Sequence, residues 1–522
     1  SEMCIRDSYR IRIQFSSKKT GFFLLSIYNQ NMDFLNEVFM LTEFGNWIEQ
    51  GLTWVIEHFD EPLWNITIVI LLGVGLFFTI TTGLVQLRLF PTSIREMWFG
   101  RAAEGNSLTP FQAFATGLAS RVGVGNISGV ATAIALGGEG AVFWMWVTAF
   151  IGMSSAFAES TLAQVFKIQD KDGSFRGGPA YYITQGLKSR CLAVAFAVSL
   201  IFTFGFAFNS VQANSIVEAT KNAWDWQGEY VGLVLVVLTA VIIFGGVKRI
   251  ATISSSVVPM MALFYLIMAV IILGMHIDMI PTVIANIYKS AFTFQSAAGG
   301  MFGALVSKAM MMGIKRGLFS NEAGMGSAPN AAAAAHVKHP VSQGLVQMLG
   351  VFVDTMIVCT CTAVIILLSD NYGSETLKSI SLTQNALRYH VGEFGVHFLA
   401  FILLLFAYSS IIGNYAYAES NIRFIKNKPW FVWAFRLSVL FFVYFGSVKS
   451  GNVVWNFADT VMAVMAIINL VAIVLLSPIV WKLMKDYQRQ LKAGKEPEFK
   501  IDLYPEIKKR VLDPVSYTHL TL

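Results

Sequence analysis

Two stretches of this chain carry glycines and polar residues inside sequence that is otherwise apolar. The first, residues 123–129, contains three glycines together with Asn126 and Ser128, and the cation Arg121 lies just before it. Such a cluster favours a helix that unwinds, because unwound backbone frees N–H groups that bind a carboxylate and carbonyls that bind a small cation. Close packing of helices through small residues is the alternative interpretation.

A second stretch of the same kind, residues 317–335, reads GLFSNEAGMGSAPNAAAAA. Its polar and helix-breaking residues are Asn321, Glu322, Gly324, Gly326, Ser327 and Pro329. Irregular backbone at membrane depth is tolerated only where protein surrounds it or where it lines a cavity. Two glycine-interrupted segments at matching places in two halves of a chain indicate an inverted repeat with a binding site near the membrane midplane.

Carboxylates also occur within apolar segments, at Glu159, Asp354 and Asp459. An ionised side chain at the bilayer centre costs about 3 kcal/mol unless it is paired or hydrated. We therefore expect ion pairs that join Glu159, Glu322 and Asp354 to Arg121, Lys315 or Arg316. Direct binding of a coupling ion by these carboxylates is the alternative.

Uncharged polar residues accompany them at Gln212, Asn214, Ser409, Ser410 and Asn414. The hydroxyls of Ser409 and Ser410 suit sodium, because hard cations prefer oxygen ligands. The same hydroxyls are equally suited to hydrogen bonds with carbonyls of their own helix.

The elements that must position these residues are membrane helices. The chain has 522 residues, of which 55% are hydrophobic and 13% charged, whereas soluble domains contain about 25% charged residues. Residues 66–84 contain no charge over 19 positions, enough to cross about 30 Å of hydrocarbon. Hydropathy predicts eleven spans, near 65–87, 109–136, 141–166, 192–219, 230–247, 253–275, 299–335, 341–369, 395–421, 429–447 and 452–484. The two interrupted stretches fall in spans 2 and 7, five apart, so the second half is expected to run in the opposite direction.

The distribution of Lys and Arg predicts the orientation. Residues 32–65 contain neither Lys nor Arg but seven carboxylates, whereas alternate loops after them and the segment after span 11 are rich in Lys and Arg. Because cytoplasmic loops carry the excess of cations, the N-terminus is expected outside and the C-terminus in the cytoplasm. We expect a bacterial cytoplasmic (inner) membrane. The net charge of +6 is thus a topology signal, and nucleic acid is not an expected partner.

The two ends of the chain differ from the rest. Residues 1–8 (SEMCIRDS) and 515–522 (VSYTHLTL) look like translated adapter sequence, and Met32 is the expected native start. We therefore divide the chain into an extension (1–31), an external N-terminal segment (32–64), a membrane domain (65–490) and a cytoplasmic tail (491–522).

Enzyme signatures are absent from the sequence. It contains no Gly-x-Ser-x-Gly, no His-Glu-x-x-His and no Walker lysine motif, and its four cysteines lack metal-ligand spacing. We expect neither catalysis nor a cofactor. A channel is disfavoured because polarity concentrates at two breaks rather than along a continuous stripe.

Several blocks of the sequence resemble the alanine or glycine:cation symporter family. The most specific are GVGNISGVATAIALGGEGAVFWMWVTAFIGM (123–153) and RGLFSNEAGMGSAPNAAAAA (316–335), with shorter matches at AESTLA (158–163), GGPAYYI (177–183), VQANSI (211–216) and VDTMIVCTCTAVIILL (353–368). The resemblance covers roughly residues 60–490. It implies an all-α polytopic membrane protein with about 11 transmembrane helices. Spans 2–6 and 7–11 would form a leucine-transporter-type (APC superfamily) 5+5 inverted repeat, and span 1 would be one extra N-terminal helix.

The resemblance also implies sodium-coupled uptake of alanine, glycine or another small neutral amino acid. The substrate-binding residues it implies are Gly123, Val124, Gly125, Asn126, Gln212, Phe319, Asn321, Gly324 and Asn414. In this assignment the first break holds the substrate carboxylate and Phe319 forms a wall of the pocket. The sodium ligands it implies are the Val122 carbonyl, Ser409 and Ser410.

Two positions depart from the family pattern. Asn414 stands where a bulky aromatic residue is common, so a serine- or glutamine-sized substrate is an alternative, as is coupling to protons. Arg121 lies beside the first break, where a small residue is expected. It could face a neighbouring carboxylate, bind the substrate carboxylate or take the place of a cation.

Overall fold

A computed structural model describes residues 50–54, 56–99, 107–170, 173–245, 247–292, 307–370, 372 and 379–512, with the side chains of 247–258 excepted. The chain divides into two compact units, 1–55 and 56–522. In the first unit the described residues, 50–54, are helical. The predicted extension (1–31), its expected native start and the adapter-like residues 515–522 lie outside the described residues.

Helices make up nearly all of the second unit. The helices are α1 (Ile56–Thr81), α2 (Val85–Arg88), α3 (Phe90–Phe99), α4 (Pro110–Arg121), α5 (Val130–Gly137), α6 (Gly140–Val165), α7 (Pro179–Gly186), α8 (Arg190–Leu200), α9 (Phe208–Trp224), α10 (Gly228–Ile243), α11 (Val247–Met275), α12 (Ile280–Ala291), α13 (Lys308–Asn321), α14 (Ala328–Ala334), α15 (Pro340–Val351), α16 (Thr360–Leu367), α17 (Ser379–Val391), α18 (Glu393–Ile425), α19 (Pro429–Val448), α20 (Gly451–Leu475), α21 (Ser477–Lys492) and α22 (Pro505–Lys508). Wider π-helical turns precede α5 (Gly125–Gly129), join α8 to α9 (Ile201–Ala207) and join α15 to α16 (Phe352–Cys359). Two short strands, β1 (Ile168–Gln169) and β2 (Phe175–Arg176), pair antiparallel.

Seven helices of the described chain are long and apolar enough to cross a membrane, and an eighth span results if the bent pair α11–α12 counts as one. The protein is therefore an all-helical, multi-pass membrane protein. Predicted spans 2 and 7 are not continuous helices of this length, because each is interrupted: α4 ends before α5 begins, and α13 ends before α14.

Some predicted boundaries are wrong. Predicted span 11 was expected to reach residue 484, but α20 ends at Leu475 and a separate helix, α21, begins at Ser477. Predicted span 1 was expected to reach residue 87, but α1 ends at Thr81 and Gly83 and Leu84 take left-handed backbone. Four helices between the predicted spans were not predicted, because their mixed polarity resembles that of loops: α3, α7, α12 and α17.

Small residues bring α6 against its neighbours. A Cβ at Gly313 of α13 would clash with the Ala141 carbonyl of α6, and one at Gly344 of α15 would lie 2.7 Å from the Phe157 carbonyl of α6. In apolar surroundings, close approach of backbones replaces the hydrophobic effect as the source of helix association. The second interrupted helix is thereby seated directly on α6.

Candidate functional site

The first break separates α4 from the π-helical turn that leads into α5. Val122, which follows α4, has extended backbone (φ −74°, ψ 95°). Two backbone N–H groups released here are bound by side-chain oxygens: Gly123 N–H donates to Asn126 Oδ1 (2.9 Å) and Val124 N–H donates to Gln212 Oε1 (3.2 Å). The break therefore presents donors suited to an anion, and two amide oxygens of the chain occupy them here.

The second break separates α13 from α14. Glu322, Gly324 and Gly326 have φ values of 57°, 82° and 87°, a left-handed region that glycine adopts without strain and that other residues rarely adopt. The Glu159 carboxylate of α6 accepts the N–H groups of Gly324 (3.3 Å) and Gly326 (3.1 Å). The freed donors of this break are therefore bound by a buried carboxylate of the protein.

Asn469 of α20 also forms hydrogen bonds at the second break. Its Nδ2 donates to Glu159 Oε2 (2.7 Å) and to the Gly324 carbonyl (2.8 Å). In addition, Asn321 Oδ1 accepts the Ala323 N–H (3.0 Å). Each of these groups is fully buried, so hydrogen bonds rather than water satisfy the unwound backbone.

The two breaks lie in contact. The Ser120 hydroxyl is 2.8 Å from Glu322 Oε1 and 2.8 Å from Asn414 Oδ1. A Cβ at Gly125 would lie 3.0 Å from Phe319 and 3.0 Å from the Ser320 backbone. The glycine thus permits the two interrupted helices to touch.

A second set of hydrogen bonds joins the breaks through α15–α16. Asn126 Nδ2 donates to Asp354 Oδ1 (2.6 Å), and the Ser320 hydroxyl donates to Asp354 Oδ2 (2.8 Å). Asp354 therefore accepts one hydrogen bond from each interrupted helix. Among the described residues, no cation forms an ion pair with it.

Gln212 and Ser410 lie at the first break. A Cβ at Gly123 would clash with Ser410 Oγ and would lie 3.1 Å from Gln212 Oε1. The expected meeting of polar residues from predicted spans 4 and 9 is thus observed for this pair. Asn214 differs: its amide donates to the carbonyls of Gly446 (3.0 Å) and Lys449 (2.9 Å) instead.

Phe319 forms an aromatic wall beside Gly125. Its ring centroid lies 4.3 Å from that of Phe208 and 4.9 Å from that of Trp455. Aromatic side chains so arranged give a surface that is apolar and tightly packed. Phe208 and Trp455 lie in α9 and α20, so three helices contribute to this wall.

Of the predicted sodium ligands, Ser410 lies at the first break and Val122 adjoins it in sequence. Ser410 Oγ lies 3.1 Å from the carbonyls of Ala119 and of Phe406, which share its single proton, so it links α18 to α4. Ser409 Oγ donates to the Phe406 carbonyl of its own helix (2.8 Å). Val122 is fully buried next to Gly123.

The expected ion pairs of the buried carboxylates are wrong. Lys315 instead pairs with Asp60 (2.8 Å) and Arg316 with Asp459 (2.6 Å). These cations lie more than a turn before the break on α13, where they meet α1 and α20. Backbone and neutral side-chain donors bind Glu159, Glu322 and Asp354 instead.

Arg121 does not pair with a carboxylate among the described residues. Its Nη1 donates to the Gln347 carbonyl (3.3 Å), and within the described chain its Nε and Nη2 have no hydrogen-bond partner. The side chain is nonetheless 2% exposed. A buried cation with unused donors thus lies in the last turn of α4, directly before the first break.

Several residues that hold the breaks together were not predicted. They are Ser120, Asn209, Ser320 and Asn469. Asn209 Oδ1 accepts a hydrogen bond from Asn414 Nδ2 (3.2 Å). A signal existed for Asn209 and Asn469, since both are amides within predicted spans, whereas Ser120 and Ser320 resemble ordinary helix serines.

Comparison with known proteins gives consistent matches over almost the whole described chain. The profile of the sodium:alanine symporter family matches residues 49–501. An uncharacterized transporter from Haemophilus influenzae is 85% identical over 471 residues, which is 90% of this chain and 98% of that protein. Two proteins from Bacillus subtilis are also similar. The probable sodium/glutamine symporter GlnT is 47% identical, over 87% of this chain and 95% of its own length. The amino-acid carrier protein AlsT is 48% identical, over 86% and 95%.

Proposed function

The chain belongs to the sodium:alanine symporter family, and from this premise we propose that it carries a small neutral amino acid, alanine or glycine, into the cell together with sodium. The observation that carries the proposal is the pair of touching helix breaks, whose backbone donors at Gly123 and Val124 suit a carboxylate. An amino acid entering the site displaces the amide oxygens of Asn126 and Gln212 from these donors.

The dimensions of the site support a small substrate. Gly123 and Gly125 are positions where even one added carbon meets Ser410, Phe319 or Ser320. The Phe319 wall bounds the same region with apolar surface, and Asn321 and Gly324 of the second break complete the proposed substrate-binding set. A methyl or hydrogen side chain fits such a site better than a long one, because each extra carbon must displace packed protein atoms.

Glutamine or serine is the second candidate substrate. The relative named as a probable sodium/glutamine symporter favours it, as does Asn414, whose amide could bind a polar substrate. In this structure, however, both ends of the Asn414 amide are bound, one by Ser120 and the other by Asn209. A polar substrate has to replace one of these bonds, whereas alanine leaves both intact.

Sodium is proposed to bind the Val122 carbonyl and the hydroxyls of Ser409 and Ser410. Both hydroxyls donate to backbone carbonyls, and an oxygen that donates its proton keeps its lone pairs for an ion. The membrane potential contributes about 2.3 kcal/mol for each charge moved across 100 mV. Protons are the alternative coupling ion.

The proposed setting is a cytoplasmic (inner) membrane with the N-terminus outside and the C-terminus in the cytoplasm. The distribution of Lys and Arg supports this orientation. We further propose that residues 65–490 form the transporter domain and contain a 5+5 inverted repeat. Contact between its two broken helices, one in each half, is what such a repeat requires at its centre.

The test is uptake of labelled alanine into proteoliposomes with an inward gradient of sodium or of choline. Excess unlabelled glycine, serine or glutamine is added in parallel. We expect uptake that requires sodium and that glycine suppresses most strongly. Strong suppression by glutamine would establish the second candidate, and equal uptake with choline from folded protein would overturn sodium coupling.

A further inference from the structure

Two histidine rings face each other outside the two breaks. His276 begins the turn between α11 and α12, and His390 lies in the last turn of α17. His390 Nδ1 is 3.1 Å from His276 Nε2, and the ring centroids are 4.9 Å apart. The pair therefore connects two segments that are more than 100 residues apart in sequence.

The second nitrogen of His390 fixes the orientation of its ring. His390 Nε2 lies 2.9 Å from the Ile365 carbonyl of α16, and a carbonyl can only accept, so this nitrogen carries a proton. In a neutral ring the lone pair then resides on Nδ1, which points at His276. Histidines that bind metals are held in this way, with one N–H donated to a carbonyl and the other nitrogen free to coordinate.

The spacing of the two facing nitrogens also suits a metal ion. Two nitrogens bound to one tetrahedral zinc, each 2.0–2.1 Å away, are about 3.3 Å apart, and those of His276 and His390 are 3.1 Å apart. We propose that His276 and His390 form a binding site for zinc or a similar transition-metal cation. The ion replaces the hydrogen between the rings, and His276 then carries its proton on Nδ1.

Water supplies the other ligands of the proposed ion. In the described part of the chain, no cluster of three or more His, Cys, Asp or Glu side chains has metal-binding geometry. His390 is buried, whereas His276 is only half-buried, so the ion reaches the pair from the His276 side. Two protein ligands and an open side are typical of a reversible site and not of the closed structural zinc sites.

A metal at this position restrains an element that contacts the first break. The ion would tie the bend between α11 and α12, which measures 103°, to the end of α17. At the other end of α17, the Ser379 hydroxyl contacts the Ser128 hydroxyl in the π-helical turn, and Thr383 donates to the Ile127 carbonyl (3.4 Å). Bound zinc is therefore expected to slow transport, a consequence that rests on the proposed function.

Binding is tested first, on the purified full-length protein and independently of transport. Calorimetric titration with zinc chloride is expected to show about one bound ion for wild type. Its affinity should fall at least tenfold in His276→Ala and in His390→Gln. His397→Ala is the matched control, because His397 is exposed and close in sequence to His390. Magnesium should not bind, since it prefers oxygen ligands.

Thermal unfolding without metal shows whether each variant is folded. Zinc should raise the unfolding midpoint of wild type and of His397→Ala, but not that of the two pair variants. Equal zinc affinity in wild type and both pair variants would overturn the site. Zinc is then added to the uptake assay, where inhibition of wild type but not of His276→Ala is expected. Binding without inhibition would overturn the restraint on transport, whereas absence of uptake before zinc is added concerns only the proposed function.

Discussion

The Ser120 hydroxyl lies 2.8 Å from Glu322 Oε1, and this contact joins two helix ends that are 202 residues apart in sequence. Ser120 belongs to the last turn of α4, and Glu322 is the first residue after α13. The same hydroxyl also contacts Asn414 of α18 (2.8 Å). One small side chain thus links both breaks to a third helix, so its removal tests whether the breaks act as one unit.

Replacing Ser120 by Ala is expected to destabilise the protein and slow uptake. The substitution leaves the buried Glu322 Oε1 without this donor, and leaving a buried polar atom unsatisfied costs about 1–3 kcal/mol. We expect a lower thermal midpoint of the purified protein and an uptake rate reduced about tenfold. Thr116→Val is the control, since Thr116 donates to the Gln112 carbonyl of its own helix. Equal behaviour of the two variants would show that Ser120 does not couple the breaks.

A methyl group at Gly123 is expected to block the first break. The added Cβ clashes with Ser410 Oγ and lies 3.1 Å from Gln212 Oε1, and overpacking of this kind costs about 1–3 kcal/mol. Uptake by Gly123→Ala should therefore be lost or strongly reduced. The control is Gly129→Ala at the end of the following π-helical turn, where the nearest atoms are 4.0 Å from the new carbon and uptake should persist.

A second substitution separates steric from chemical effects at this position. Gly123→Ala combined with Ser410→Gly removes the clash, so the thermal midpoint should recover towards that of wild type. Sodium dependence should not recover if Ser410 is a sodium ligand. Full recovery of both stability and sodium-dependent uptake would argue against that role for Ser410.

The positions of the two breaks could be predicted from sequence because their chemistry is local. Glycines and amides within an apolar segment identify unwound backbone, and the structure places breaks at both predicted stretches. The partners of each break could not be predicted. Lys315, Arg316 and Arg121 were all suitable partners for Glu322 by charge, yet Ser120 and Ser327 bind it, and only the packing of distant helices decides between them.

The end of predicted span 11 shows a different limit. Residues 477–484 (SPIVWKLM) are apolar enough to extend α20 by hydropathy, but the chain turns at Leu476 and α21 begins with proline in its first turn. Hydropathy averages over a window and so cannot detect a turn of one or two residues. The amide pair Asn414–Asn209 illustrates the same point for the site, since residue type identified Asn414 but not its partner.

Removing one partner of the buried ion pair Arg316–Asp459 is expected to destabilise the protein strongly. The two groups are 2.6 Å apart, with side chains 5% and 3% exposed, and breaking a buried pair from one side costs about 3–5 kcal/mol. Asp459→Asn should therefore lower the thermal midpoint markedly. The matched control is Asp502→Asn, because the Lys508–Asp502 pair has the same 2.6 Å spacing but side chains 48% and 69% exposed. Exposed ion pairs contribute at most about 1 kcal/mol to stability. An equal decrease of the thermal midpoint in the two variants would contradict the role of burial.

Acidification is expected to weaken the contact between α21 and the start of α15. The His339 ring is fully buried there, 3.5 Å from Asp486, and its Nδ1 accepts the Val341 N–H (3.2 Å). Burial lowers the pKa of His339 below its usual value, although Asp486 and Glu96 oppose the shift. The His339 contact in turn lowers the pKa of Asp486, so that carboxyl stays ionised while the histidine titrates.

The sign of the effect follows from the lowered His339 pKa. As pH falls below about 6.5, the usual histidine pKa, the unfolded chain binds a proton at this histidine that the folded protein excludes. The contribution of the neutral His339 ring to folding stability is therefore fully present at neutral pH and is lost as pH falls below that value. The thermal midpoint should therefore decrease between pH 7.5 and 5.5 in wild type. His339→Asn retains an N-terminal cap for α15 but cannot titrate, and its midpoint should fall less over this range. His397→Ala, which removes an exposed histidine, should match wild type; a decrease that is unchanged in His339→Asn would assign the pH dependence to another group.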